Sequence, residues 1–133
     1  MIKKLDHIAV AVKSIDETLS LYTDTLGLKL IKREDVPDQG VKAALIQIGD
    51  SEIELLEPLD PNGGVARFLE RNGEGMHHIC LEVDDVNAEL KALGEKGVQL
   101  IDKQGRPGLA GLVGFLHPRS LHGVLIELAQ KTH

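Results

Sequence analysis

His7 and His78 open matched segments, His7-Ile8-Ala9-Val10-Ala11-Val12 and His78-Ile79-Cys80-Leu81-Glu82-Val83. Glu54 and Glu127 sit in the same tripeptide, Ile53-Glu54-Leu55 and Ile126-Glu127-Leu128. The histidines are 71 positions apart (78 − 7) and the glutamates 73 (127 − 54), so the chain carries an internal repeat whose copies each donate one imidazole and one carboxylate. If the copies pack face to face, His7, Glu54, His78 and Glu127 converge as a metal site. Two neutral imidazoles with two carboxylates suit one borderline divalent ion, Co, Zn, Ni or Mn. An octahedral ion held by four protein ligands keeps two positions for substrate oxygens, where it acts as a Lewis acid on a carbonyl and stabilises an enolate. A lone histidine at a strand start is more often structural, and a lone glutamate on a sheet more often solvated. The repeat is what favours the metal reading. Glu127, enclosed by Leu125, Ile126, Leu128 and Ala129, also needs a partner if buried.

The elements that must position these residues follow from periodicity. Leu5 to Val12 alternates, with His7, Ala9 and Ala11 on one face and Ile8, Val10 and Val12 on the other. Ser14 with Glu17 reads as a capping box. Ile15, Leu19, Tyr22 and Leu26 then recur at helical spacing, and Gly27 supplies the stop. Strands are expected over 28–32, 41–48 and 51–57, ended by Pro58. The second copy repeats this β-α-β-β-β order. It has a strand from His78, a helix capped by Asp84 or Asp85 with Val86, Leu90 and Leu93 on one stripe, then Gly97. Strands are expected over 98–101, 112–116 and 123–129. The helices differ by one residue between copies, a shift expected near the Gly27 and Gly97 stops. Asp60-Pro61-Asn62-Gly63-Gly64 links the copies, followed by a short helix over 65–71. The expected fold class is α+β, with paired βαβββ modules forming a curved mixed sheet around a metal-binding cleft. Residues 1–133 would make one domain, with module 1 over about 3–59 and module 2 over about 74–130. A module of this size is marginal alone and gains from a shared core.

Composition sets outer bounds. The chain has 133 residues, is 42% hydrophobic and 27% charged, and carries a net charge of −6 with no basic stripe, which argues against nucleic-acid binding. Tyr22, Phe68 and Phe115 are the only aromatics, too few for base or flavin stacking platforms. No apolar run approaches a membrane span and no signal-peptide core follows Met1. With Cys80 as the single cysteine, a cytoplasmic protein without a disulfide is the expectation.

These residues resemble the vicinal oxygen chelate superfamily, which includes glyoxalase I, extradiol dioxygenases and antibiotic-binding proteins. The resemblance covers essentially the whole chain and is closest to the methylmalonyl-CoA epimerases. Leu5-Asp6-His7-Ile8-Ala9-Val10-Ala11-Val12, Ile53-Glu54-Leu55-Leu56-Glu57-Pro58-Leu59 and Gly73-Glu74-Gly75-Met76-His77-His78-Ile79-Cys80 carry it. So do Phe115-Leu116-His117-Pro118 and Gly123-Val124-Leu125-Ile126-Glu127-Leu128. It implies metal ligands at His7, Glu54, His78 and Glu127, an acyl-CoA thioester substrate and a homodimer. The implied reaction interconverts (R)- and (S)-methylmalonyl-CoA. Glu127 resembles the family's metal-bound acid/base. Better-known members place a second glutamate where this chain has Ala43, so the other proton carrier is open among Glu54, Gln47 through a water, and water alone.

The remaining candidates are weaker. His77 has the wrong strand parity for a ligand, and His117 and His122 lie in a loop at the rim. The resemblance places Gly105-Arg106-Pro107-Gly108-Leu109-Ala110-Gly111 as a flexible segment at the open edge, either a lid or a connector. Arg67, Arg71, Arg106 and Arg119 are candidates for CoA phosphates, with plain surface charge as the alternative for each. Glyoxalase I would use the same four ligands on a glutathione hemithioacetal. An oxygen-activating dioxygenase would want one carboxylate fewer. A protein that only sequesters a small molecule would not need the ligands.

Overall fold

The computed structural model describes residues 1–109 and 111–131. Contacts divide the chain into two units, His7–His77 and Met1–Asp6 with His78–His133. Each unit joins helices to a mixed sheet, an α+β fold in which the βαβββ order appears twice.

In the first unit β1 (Ile2–Ala11) runs parallel to β4 (Ser51–Pro58), and β3 (Val41–Ile48) is antiparallel to both β4 and β2 (Lys29–Val36). Val12, Ile15, Ala44, Ile46 and Leu55 form the buried core between the sheet and helix α1 (Ile15–Ser20), joined by Leu19, Tyr22 and Leu28. Ser14 is extended and its hydroxyl accepts the Glu17 N–H at 3.2 Å, the cap that the sequence indicated. Leu26 departs from the expected stripe and is 56% exposed. A π-helical turn over Leu21–Thr25, with Leu26 N–H donating to Leu21 O at 2.9 Å, adds a residue to the last turn and rotates Leu26 off the core face. β2 is longer than expected and bulges between Leu30 and Lys32. A second helix, α2 (Gly64–Asn72), follows the linker.

The second unit orders its strands β5 (Gly75–Val83), β8 (Ile126–Gln130), β7 (Gly111–Leu116) and β6 (Arg106–Gly108), with β5 parallel to β8. Helix α3 (Val86–Glu95) is capped by Asp85, which accepts the Ala88 N–H at 3.0 Å. Its core is Val83, Val86, Leu90, Leu116 and Leu128. The first six residues join this unit through ion pairs from the Met1 amine to Glu89, from Lys3 to Glu82 and Asp84, and from Asp6 to Lys131.

Two expectations for this unit need correction. Residues 98–101 form no strand, only a bridge between Leu100 and Leu116. Ile101 and Asp102 both donate to Phe115 O, and the Asp102 carboxylate takes the Phe115 N–H at 2.8 Å, so a side chain replaces the ladder there. The second strand lies instead at Arg106–Gly108, within the segment expected to be a flexible lid or connector, where it pairs in a hairpin with β7. Ala110 of that segment lies outside the described residues. The last strand starts at Ile126 rather than Gly123, because His122 and Gly123 turn the chain at positive φ (57° and 90°).

One device fixes each helix to its sheet. Glu57 Oε1 accepts the Ile15 N–H at 2.8 Å in the first unit, and Gln130 Oε1 accepts the Val86 N–H at 3.0 Å in the second. These are equivalent residues, offset by 73 (130 − 57) and 71 (86 − 15), like the glutamates and histidines. Each satisfies a donor at a helix start that would otherwise be orphaned.

Candidate metal centre

In the first unit Ala9 on β1 is aligned with Glu54 on β4, and His7 precedes Ala9 by two residues on the same face. His7 Nε2 and Glu54 Oε1 are 3.6 Å apart, with the side chains 3% and 6% exposed. In the second unit Cys80 on β5 is aligned with Glu127 on β8, and His78 precedes Cys80 by two. His78 Nε2 and Glu127 Oε1 are 3.1 Å apart, again buried. The two pairs therefore share one register on parallel strands. The neighbours of each glutamate in sequence, led by the fully buried Leu55 and Leu128, face the helix side and hold the carboxylate on the other face.

Donor type and spacing fit a divalent ion. Two ligands at about 2.0–2.1 Å from a metal stand roughly 3.0 Å apart across an octahedral edge and about 3.4 Å apart across a tetrahedral one. The observed separations of 3.6 and 3.1 Å lie close to these values. Imidazole nitrogens and carboxylate oxygens are the donor set that borderline divalent ions take.

A match to the Glyoxalase/Bleomycin resistance protein/Dioxygenase superfamily spans residues 6–115. The chain belongs to this superfamily. Among its relatives, the Bacillus subtilis protein YqjC, of uncharacterised function, is 41% identical over 128 residues, which are 96% of this chain and 91% of that protein. The ethylmalonyl-CoA/methylmalonyl-CoA epimerase of Cereibacter sphaeroides is 39% identical, with 98% and 99% covered. The structure of a Streptomyces coelicolor methylmalonyl-CoA epimerase variant in complex with 2-nitronate-propionyl-CoA superposes with a TM-score of 0.91 at 36% identity, covering 96% of this chain and 94% of that one.

Around the paired histidines and glutamates, the other candidates take varied places. The His77 ring packs against Phe68 at 5.0 Å, in keeping with its opposite parity. His117 Nδ1 accepts the Arg119 N–H at 3.0 Å and caps a 3-10 turn, while His122 is exposed at a positive φ. Gln47 is exposed, and its amide donates to Gly49 O at 3.3 Å, within its own turn. Ala43 is buried. Arg67, Arg71 and Arg119 are exposed.

Three residues escaped the sequence reading. Glu34 stands directly across from Ala43 on β2, half buried, its carboxylate 3.1 Å from Lys32 Nζ. Because Ala43 and Leu45 share a face of β3 and Leu45 is aligned with Glu54, Glu34 lies on the same face as Glu54. Buried Asp6 pairs with Lys131 at 2.8 Å, next to His7 in sequence. Asp102 bridges Phe115 and Arg106. Glu34 becomes visible only once strand register is known, since β2 bulges and shifts its parity.

Proposed function

We propose that this chain is a metal-dependent epimerase that interconverts (R)- and (S)-methylmalonyl-CoA. The observation that carries the proposal is the repeated buried histidine–glutamate pair in one register on both units. Relatives named as epimerases of malonyl-type thioesters, matched over nearly their full length, support the substrate class. Residues 1–133 act as one domain in this reading, with His7, Glu54, His78 and Glu127 holding one divalent ion, Co, Zn, Ni or Mn by donor type. When bound, that ion supplies positive charge to two oxygens of the substrate.

The chain's own groups then have defined tasks. Glu127 is the proton carrier on one face of the substrate carbon. Its position on β8 is fixed by the hydrogen-bonded ladder, and its orientation by His78. Phe115, aligned with Glu127 on β7 and perpendicular to the His78 ring at 5.4 Å, shields the pair from water. Epimerisation requires that a proton leave one face and return to the other, so a second carrier is needed. Glu54, Gln47 through a water, or water alone can serve, and register adds Glu34, the carboxylate facing the Ala43 position.

The test is proton exchange in deuterated water with methylmalonyl-CoA, run beside a methylglyoxal–glutathione assay for the lactoylglutathione lyase reaction. Deuterium uptake in the first and silence in the second is the expected result. The reverse outcome replaces the epimerase with a glyoxalase I.

A further inference from the structure

Arg106 is held in place beside the His78–Glu127 pair, yet its binding edge is left open. It stands on β6 across from Val113, and Val113 shares a face of β7 with Phe115. Its Nε–H donates to Asp102 Oδ1 at 3.2 Å, and the other oxygen of Asp102 accepts the Phe115 N–H at 2.8 Å. The guanidinium carbon lies 5.5 Å from the centre of the Phe115 ring, the ring that meets His78 at 5.4 Å. One carboxylate and one aromatic ring thus hold the guanidinium at this position. A solvated surface arginine needs neither, and an exposed i,i+4 ion pair returns little stability for ordering such a long side chain.

A guanidinium has five N–H donors in a rigid fork. Asp102 takes the Nε–H, and no other hydrogen bond or ion pair of Arg106 occurs among the described residues, so the edge formed by the two terminal nitrogens is unengaged. That edge matches a carboxylate or phosphate in a bidentate pair. The side chain is 48% exposed, open to a ligand arriving from solvent. We propose that Arg106 is a substrate-positioning residue that binds an anionic oxygen of the acyl-CoA thioester, from either its carboxylate or its phosphates. This rests on the epimerase reading and adds the group that recognises the substrate's charge.

The experiment titrates methylmalonyl-CoA and free coenzyme A calorimetrically into metal-loaded wild type, Arg106→Gln and Arg106→Met. The methionine keeps an unbranched stem over Phe115, so one of the two variants reports even if the other misfolds. Loss of a charge-assisted hydrogen bond should weaken methylmalonyl-CoA binding on the order of 10-fold or more. Equal weakening for coenzyme A assigns the contact to the phosphates, and unchanged coenzyme A binding assigns it to the carboxylate. Variants that keep wild-type affinity for both ligands overturn the proposal. Wild-type turnover is measured separately. A wild type that binds methylmalonyl-CoA without epimerising it sinks the reaction but not Arg106, and one that binds neither ligand sinks both.

Discussion

Glu54 lies beside Ala9 across the parallel β1–β4 pair, and His7, two residues earlier, brings its Nε2 to 3.6 Å from Glu54 Oε1. The His78–Glu127 pair repeats this register on β5 and β8 at 3.1 Å. A fortuitous salt bridge has no reason to recur at equivalent positions. In the metal reading each pair is one half of the ligand set proposed for a single ion.

Metal content is the first prediction. Protein prepared without chelator should hold about one divalent ion per chain, and His78→Ala should lose most of it, since four-ligand sites weaken sharply when one ligand is removed. A chelator should lower the thermal midpoint of the wild type, because an ion bound only by the folded state stabilises it by mass action. Elemental analysis and a melting curve check both. Full retention of metal in His78→Ala would remove His78 from the ligand set.

Glu127→Gln separates ligand from proton carrier. The amide oxygen can still coordinate, but the group no longer takes up a proton at neutral pH. Exchange into methylmalonyl-CoA should fall by on the order of 10²–10⁴-fold with much of the metal retained. Near-normal turnover with metal intact would leave Glu127 a ligand only.

Glu57 and Gln130 make the same contact to the first helical N–H of their units. The glutamine in the second unit shows that charge is not required. Glu57→Gln should therefore be nearly neutral, and Glu57→Leu should cost about 1–3 kcal/mol by leaving the Ile15 N–H unsatisfied. Urea unfolding compares the two. Equal effects would mean that the contact contributes nothing.

The repeat, the alternation of β1 and β5, the Ser14 cap and the two His–Glu pairs that the structure brings together were legible because each rests on sequence pattern. Alternation of small and large residues marks the face that carries His7 and His78, Ser14 is a cap by chemistry alone, and the structure chooses Asp85 where the sequence left Asp84 or Asp85. What was not legible depends on long-range pairing. The sequence at 98–101 is apolar enough for a strand, but Asp102 captures the Phe115 N–H and ends the ladder. The hairpin at Arg106–Gly108 sits among glycines and a proline that read as loop. Glu34 could not be placed without the β2 bulge. The one-residue difference between copies was visible as an offset near the Gly27 stop, but not that a π-helical turn absorbs it.

That extra residue resides in the π-helical turn at Leu21–Thr25. Ser14 and Gly27 are 13 positions apart (27 − 14), Asp85 and Gly97 only 12 (97 − 85). The closing bonds differ in the same way: Leu28 N–H reaches Tyr22 O in the first copy, Val98 N–H reaches Leu93 O in the second. Deleting the exposed Asp24 should relax the turn to an ordinary α-helical end and change stability by about 1 kcal/mol or less. Deleting Lys91 from α3 should cost several-fold more, since it rotates Leu93 off its core. Chemical denaturation of both deletions decides the matter. A collapse of the Asp24 deletion would show that the turn is needed for more than length.

The last prediction concerns the two faces of the substrate carbon. In the epimerase reading Glu127 would give one face a positioned carboxylate. On the other, Ala43 offers none, and the carboxylates available on the Glu54 face of the first unit include Glu34, half buried opposite Ala43 and tied to Lys32 at 3.1 Å. A carrier that must swing away from a lysine transfers protons less readily than one already placed, so exchange from the two enantiomers should be unequal. Starting from each enantiomer in deuterated water, the deuterium content of recovered substrate and of product reports each face. Glu34→Gln should depress exchange on the slower face alone and leave metal content unchanged. Ala43→Glu should even out the faces, because its side chain would stand directly across from Glu34. If the faces exchange alike in the wild type and neither substitution alters them, Ala43 does not mark the second proton position and Glu34 plays no part in the reaction.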